Sequence, residues 1–179
     1  EPDAQFIVLG SVRQEEEADI VKLICDIRLK NDQIIIGLFP RHMHRLKYWE
    51  KTLNELLLPW KYRSQIAGKI SSGHVVLWDT MGELFSAYKI SGGAFMCGSL
   101  APLGGQNFLE PITCGLRPVI GPYWSKFIWI GQEIFDQKLV TLAKNWLEVS
   151  EVLLDNISQP LQRRQTQQAI NDYVENRRG

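Results

Sequence analysis

The chain alternates short apolar runs of strand length with amphipathic helical runs, and this alternation limits the fold more than any other feature. Residues 5–9 and 33–39 are nearly continuous apolar segments, each followed by a helical pattern. Such strands suit a parallel sheet that is buried on both faces. Strand then helix, repeated five or six times, defines βαβ units with right-handed crossovers. The sequence therefore predicts an α/β fold with a parallel sheet and helices on both faces.

The 179 residues indicate one domain with a sizeable core. We expect residues 1–158 to form this domain and residues 159–179 to add a C-terminal helix to it. The same patterns predict strands at 5–9, 33–39, 61–66, 74–78, 93–97, 118–120 and 138–142, and helices at 15–29, 44–58, 81–89, 107–114, 143–156 and 161–176.

Composition excludes several classes of protein. Twenty Lys and Arg balance twenty Asp and Glu, which argues against a nucleic-acid binder. No apolar run approaches the length that crosses a bilayer, and the first residues do not resemble a secretory signal. The chain itself is therefore expected to be soluble. The three cysteines, Cys25, Cys97 and Cys114, include no CxxC pair, so a reduced compartment and no zinc site are expected.

Polar and glycine residues concentrate in the turns that follow the predicted strands. Ligands of parallel α/β sheets bind beyond the carboxyl ends of the strands, so we expect these turns to form one binding edge. Arg41 suits a phosphate or carboxylate, although a solvated loop arginine is the simpler interpretation. Gly104 and Gly105 allow close approach of the backbone to a ligand, and a helix that starts near Asn107 offers free N–H groups to an anion. Glu110 is either part of a helix cap or an acceptor for ribose hydroxyls.

Signals for catalysis within the chain are weak. Ser99 lies outside a nucleophile elbow, and the cysteines have no evident base. His42 and His44 have no third metal ligand nearby, so neither a metal nor a cofactor is expected. The run of glutamates at 15–17 is predicted to be a solvated helix start that the helix dipole favours.

Several segments together resemble the 3-deoxy-D-manno-octulosonic acid (Kdo) transferases. Gly10-Ser11 followed by the glutamate run resembles the opening of the C-terminal domain of these enzymes, and the resemblance covers nearly the whole chain. The other matching segments, in chain order, are Phe39-Pro-Arg-His42, Asp79-Thr-Met-Gly-Glu-Leu84, Gly98-Ser99, Gly104-Gly-Gln-Asn107, Leu109-Glu-Pro111 and Pro118-Val-Ile-Gly-Pro122. The sequence departs from the family at Trp78 and Gln106, where glycine and histidine are common.

The resemblance implies a Rossmann-like domain that forms one half of a GT-B fold. It further implies a CMP-Kdo donor, a lipid A precursor as acceptor, inversion at the anomeric carbon and a place in lipopolysaccharide biosynthesis. The enzyme would act at the cytoplasmic face of the bacterial inner membrane, with membrane association through the full-length protein. The general base would lie on a separate N-terminal domain, so no catalytic residue is assigned here. By resemblance, CMP is held by Pro40, Arg41, Met81, Gly82, Glu83, Asn107, Phe108, Leu109 and Glu110.

Other interpretations stay open from the sequence. The chain could be a GT-B domain for another nucleotide-sugar, a non-catalytic nucleotide-binding module or a complete single-domain enzyme. One loop carries four aromatic residues: Tyr123, Trp124, Phe127 and Trp129. We expect at least half of these side chains to pack in the core, and the others are candidates for an interdomain or partner surface.

Overall fold

A computed structural model describes residues 5–176, and its centre is one parallel sheet. The sheet has seven strands in the order β3-β4-β2-β1-β5-β6-β7, and every recorded strand pairing is parallel. The strands are β1 (Phe6–Val12), β2 (Ile35–Pro40), β3 (Trp60–Tyr62), β4 (Val75–Leu77), β5 (Gly93–Met96), β6 (Val119–Ile120) and β7 (Thr141–Leu142). The predicted α/β class, a Rossmann-like parallel sheet, is confirmed.

Helices cover both faces of this sheet. They are α1 (Glu17–Lys30), α2 (Leu46–Glu55), α3 (Leu84–Ile90), α4 (Leu109–Thr113), α5 (Glu133–Asp136), α6 (Trp146–Ser158) and α7 (Arg163–Glu175). Alternation along β1 divides the core: Ile7 packs with buried residues of α1, α2 and α6, whereas Val8 packs with those of α3, α4, α5 and α7. Nearly continuous apolar strands are therefore buried on both sides, as the sequence predicts.

Two helices near the carboxyl edge begin later than predicted. α3 starts at Leu84 rather than at residue 81, because Gly82 has a φ of +81° that an α-helix does not accept. α4 starts at Leu109 rather than at residue 107, since the Asn107 side chain accepts a hydrogen bond from the Leu109 amide at 3.1 Å and holds a turn there. Both helices are short, with seven and five residues, so neither contributes a strong helix dipole.

The C-terminal helix α7 lies on the same core as the rest of the chain. Ile170 and Tyr173 are buried with residues of α3 and α4, and Arg163 donates hydrogen bonds to the carbonyls of Cys114 and Ser91. A helix that follows residue 158 is thus seen; the assignment of 1–158 and 159–179 as parts of one domain remains a proposal.

Strand order places a crevice next to β1. The chain builds β2, β4 and β3 on one side of β1 and then β5, β6 and β7 on the other, so the order reverses between β1 and β5. Ligands of open α/β sheets bind at such a switch point, beyond the carboxyl ends of the strands. Next to this crevice β1 bulges between Leu9 and Val12, and Ser11 within the bulge has a φ of +62°. Over residues 5–176, no helix has the length and apolarity to cross a membrane.

Candidate nucleotide-binding site

Arg41 follows β2 directly and therefore lies at the carboxyl edge of the sheet. Its backbone amide donates to the Val12 carbonyl at 2.8 Å, which fixes the chain after Pro40 to the end of β1. The side chain is exposed, and among the residues that the structure describes the guanidinium has no ion-pair partner. A fork of five N–H donors at the rim of the crevice is thus left without an ion-pair partner within residues 5–176.

Glu83 lies at the same edge after β4, and its carboxylate already has partners among the side chains of the protein. Its Oε2 atom accepts hydrogen bonds from the Trp78 indole at 2.9 Å and the Thr80 hydroxyl at 3.0 Å. The Arg63 Nε lies 3.0 Å from the same oxygen. Trp78 in turn stacks on Phe39, with ring centroids 4.1 Å apart. Glu83 is therefore fixed before any ligand arrives, and its charge is balanced by Arg63.

Met81 and Gly82 form an exposed turn in front of Glu83. The Met81 side chain is 78% exposed, which is unusual for an apolar residue of this size. A Cβ added to Gly82 would meet no atom of residues 5–176 within 4 Å, so glycine is needed here for its backbone conformation rather than for lack of space. The turn thus presents backbone and an apolar side chain to whatever binds at this edge.

Asn107 and Glu110 form a polar pair at the start of α4. The Asn107 amide donates to Glu110 Oε1 at 3.1 Å, which is compatible both with a helix cap and with a carboxylate oriented toward a ligand. Leu109 is half-buried against the core, and the Phe108 side chain is only 1% exposed. Phe108 is one of the residues predicted to contact the nucleotide. Because its side chain is buried, only its backbone is available for that contact.

The helices that begin next to Glu83 and Glu110 are neighbours, because α3 packs against α4. Tyr88 of α3 lies behind them, where a Cβ on Gly10 would come within 2.6 Å of its hydroxyl. Burial raises the pKa of Tyr88, and the negative charge of Glu110 raises it further. The structure thus brings the predicted residues to one edge; whether they bind a nucleotide remains a proposal.

The predicted solvated glutamate run is wrong for two of its three residues. Glu16 and Glu17 are 1% and 4% exposed, and only Glu15 lies in solvent. Glu16 accepts hydrogen bonds from the backbone amides of Gly98, of Ser99 at 2.9 Å and of Leu100 at 2.6 Å. Glu17 instead pairs with Arg45, whose Nε lies 2.9 Å away. Both carboxylates have fixed partners, which is the condition for burying such groups.

The glycine-rich loop after β5 is packed against the chain itself. A Cβ on Gly104 would lie 2.8 Å from the Lys126 side chain, and one on Gly105 would lie 3.1 Å from the Trp124 backbone. Both glycines have a φ above +80°. We expected Gly104 and Gly105 to let the backbone approach a ligand closely. In the structure they instead let it approach the loop after β6.

Sequence reasoning missed several residues that support this site. Arg63, Trp78 and Thr80 hold Glu83, and the Gln106 amide donates to the Ser11 carbonyl at 2.6 Å. Arg63 carries no local signal, because it lies in a weakly patterned segment. Trp78 and Gln106 were visible only as departures from the Kdo transferase pattern.

The remaining expectations concern metals and the aromatic loop. Across residues 5–176, no group of three metal-ligating side chains occurs. Trp124 and Phe127 pack against the core, whereas Tyr123 and Trp129 are 44% and 70% exposed. Core packing of half the aromatic loop is confirmed, and a surface role for the other half stays a prediction.

The fold defines a Rossmann-like α/β domain of the kind that forms half of a GT-B glycosyltransferase. No protein-family model matches the chain. The chain is 34% identical over 147 residues to a bifunctional glycosyltransferase/methyltransferase of Fusobacterium nucleatum, a match that covers 80% of the chain and 22% of that protein. It is 30% identical over 122 residues to the 3-deoxy-D-manno-octulosonic acid transferase of Aquifex aeolicus, covering 68% of the chain and 33% of the enzyme.

A solved structure makes the likeness more specific. The C-terminal CMP-Kdo binding domain of WaaA from Acinetobacter baumannii superposes with a TM-score of 0.83 at 26% identity, over 96% of the chain and 90% of that domain. The resemblance to the C-terminal domain of the Kdo transferases is thereby confirmed. The chain spans about a fifth to a third of the length of these two curated relatives.

Proposed function

We propose that the chain is the donor-binding domain of a Kdo transferase and that its ligand is CMP-Kdo. The similarity to a CMP-Kdo binding domain along 96% of the chain carries this proposal. The complete enzyme would transfer Kdo with inversion to a lipid A precursor, as a step of lipopolysaccharide biosynthesis at the cytoplasmic face of the inner membrane. An N-terminal GT-B domain would supply the acceptor site, the general base and the association with the membrane.

The residues at the carboxyl edge have distinct proposed roles. CMP is the leaving group, so negative charge grows on its phosphate as the glycosidic bond breaks, and the exposed Arg41 fork suits that charge. Glu110 would accept the two ribose hydroxyls, oriented by Asn107. Met81 and Gly82 would lie against the cytosine ring of CMP, and Glu83 would hold the turn that they form. Pro40, Phe108 and Leu109 would contribute backbone and apolar contacts.

Binding without transfer is the expected behaviour of the chain alone. GT-B chemistry takes place between two domains, and the proposed roles here all concern the leaving group. Positioning of the acceptor and general-base catalysis, which together account for many orders of magnitude in rate, would be absent. An assay of the isolated chain with CMP-Kdo and a lipid A precursor tests this. Transfer at the rate of a full-length relative would contradict the proposal and direct attention to Asp79 and Glu83 as bases.

Titration calorimetry of the chain with nucleotides tests the proposed ligand. We expect saturable binding of CMP that is tighter than that of AMP, GMP or UDP. Tighter binding of UDP would instead favour a GT-B domain for another nucleotide-sugar, an alternative motivated by Trp78, which replaces the family's glycine directly behind Glu83. Equal and non-saturable responses to all four nucleotides would overturn the proposal.

A further inference from the structure

We propose that Glu16 is a positioning residue: it serves as an internal anion that fixes the loop of residues 98–106 and thereby sets the place of Asn107 and Glu110. This inference rests on the proposed function, because it concerns the same site. Glu16 itself is buried beneath the loop and is not among the residues expected to touch the nucleotide.

The first observation is the number of loop amides that one carboxylate serves. Three successive N–H groups, those of Gly98, Ser99 and Leu100, converge on the two oxygens of Glu16. Successive backbone amides that point to one spot form an anion-binding concavity. At the switch point of a sheet such a concavity commonly receives a ligand phosphate. In this chain it is filled by a side chain, so these three amides serve the loop and not the ligand.

The second observation is a continuous path from this loop to the candidate ribose carboxylate. The Gly105 amide donates to the Gly98 carbonyl at 2.8 Å, which folds the loop back on its start. The Gln106 side chain packs over Gly98, where a Cβ would lie 2.9 Å from its Cγ, and its amide holds the Ser11 carbonyl. Asn107 follows immediately and donates to Glu110.

A third observation ties the loop to the neighbouring strand. The Ser99 hydroxyl donates to the Met96 carbonyl at 2.6 Å and accepts from the Gly121 amide at 2.8 Å. A Cβ on Gly121 would overlap the Ser99 carbonyl, so the loop and the end of β6 are in direct contact. A shift of the loop at Ser99 would therefore disturb both its base and the turn that follows β6.

The charge of Glu16 is what makes it suitable as the acceptor for three donors. An ionised carboxylate offers lone pairs on both oxygens, whereas a glutamine offers one oxygen and turns an N–H group toward the other amides. Glu16→Gln therefore preserves the shape of the side chain but leaves at least one loop amide without an acceptor. Such buried, unpaired donors are costly, so the loop is expected to rearrange.

Glu17→Gln is the matched control. Glu17 is the next residue, is similarly buried, and pairs with Arg45 rather than with the loop. We expect Glu16→Gln to weaken CMP binding about tenfold, which corresponds to the loss of one charge-assisted hydrogen bond. Glu17→Gln should lower the melting temperature yet keep CMP affinity within about twofold of the parent. Equal losses of affinity in both variants would mean general damage to the fold and would overturn the inference.

The pH dependence of binding gives a readout that general damage would not reproduce. Burial raises the pKa of Glu16, whereas the loop amides lower it. The buried Cys97 thiol faces it from the end of β5, and Arg13, Glu15 and Glu17 flank it on its own segment. Cytidine is the probe, because it has no phosphate to titrate. As the pH is lowered, the affinity for cytidine should fall more steeply in the parent and in Glu17→Gln than in Glu16→Gln. Identical pH profiles in all three would contradict the inference.

Amide hydrogen exchange separates this inference from the proposed function. In ¹⁵N-labelled protein, Glu16→Gln should accelerate exchange at Gly98, Ser99 and Leu100, with core amides of β1 unchanged. Glu16→Asp, which keeps the charge on a shorter side chain, serves if the glutamine variant does not fold. Exchange as slow as in the parent would overturn the loop-fixing role even if CMP binds. Fast exchange in a chain that never binds CMP would support loop fixing and reject the proposed function.

Discussion

The two carboxylates of the candidate site, Glu83 and Glu110, lie at the starts of neighbouring helices in contrasting surroundings. Glu83 belongs to a closed corner, which we define as Arg63, Trp78, Thr80 and Glu83, where one carboxylate oxygen has three protein partners. Glu110 belongs to an open rim, defined as Arg41, Asn107 and Glu110, in which Arg41 is unpaired among the described residues and Glu110 is hydrogen-bonded by Asn107.

This difference indicates a division of labour. A group whose hydrogen bonds are already made to the protein contributes chiefly to rigidity, since exchanging those partners for a ligand gains little. A group that keeps its donors or acceptors available contributes chiefly to binding. The closed corner is therefore expected to affect stability first and the open rim to affect affinity first, and each prediction below can break or sharpen that contrast.

The largest effect is expected at Arg41. If its guanidinium binds the phosphate, Arg41→Ala should weaken CMP binding by about tenfold to a hundredfold, as the loss of charge-assisted hydrogen bonds implies. Cytidine binding should barely change, because cytidine has no phosphate. Arg41→Lys should recover only part of the affinity, since a point charge does not reproduce the planar fork. Calorimetry with both ligands measures the effect, and parallel losses for CMP and cytidine would place the damage in the fold.

Glu110 should follow closely. Removing an acceptor for ribose hydroxyls is expected to cost about 1.5–3 kcal/mol of binding free energy, or roughly tenfold or more in affinity. Glu110→Ala should lower stability only slightly, through the lost first-turn carboxylate. Glu148→Ala is the control, because Glu148 lies in the first turn of α6 after the edge strand β7. A stability loss with unchanged CMP affinity would identify Glu110 as a helix cap alone.

The closed corner should respond in the opposite order. Glu83→Ala removes the acceptor of the Trp78 indole and the partner of Arg63, so we expect a loss of about 1–2 kcal/mol in the free energy of unfolding. Affinity for CMP should fall less than in Glu110→Ala. The Arg63→Met variant alone and combined with Glu83→Ala completes a double-mutant cycle, measured by urea unfolding. Additive effects would show that the two side chains are not coupled and would remove the basis for a closed corner.

The sequence predicted those parts of the molecule that depend on local patterns. Apolar runs such as residues 33–39 located the buried strands, and parallel topology then placed Arg41 and Glu83 at one edge. The burial of Glu16 depends on amides 82 to 84 positions further along the chain, so no local pattern signals it. The start of α3 was misplaced because a left-handed glycine and a helix-starting glycine look alike in sequence, although Gly82 has a φ of +81°.

The smallest expected effect is the pH dependence of stability that the buried carboxylate of Glu16 causes. Glu16 belongs to neither the closed corner nor the open rim. Burial, the larger influence, raises its pKa above the ordinary value of 4.5, although the amides of Gly98, Leu100 and Ser99 act against it. A carboxyl with a raised pKa in the folded state binds its proton more tightly there than in the unfolded chain. Its contribution to stability is therefore complete below the unfolded pKa and is lost as pH rises through the folded pKa.

The difference in unfolding free energy between the parent and Glu16→Gln isolates this contribution, because the other carboxylates cancel. We expect the difference to shift in favour of the parent as the pH is lowered from neutral to about 4.5, measured by urea unfolding at several values. A shift in the opposite direction would mean that the loop amides outweigh burial. If the difference shifts as expected, ionised Glu16, which orders the loop, stabilises the fold less than protonated Glu16 does. Stability and nucleotide affinity should then have opposite pH dependences, a contrast that neither the closed corner nor the open rim provides.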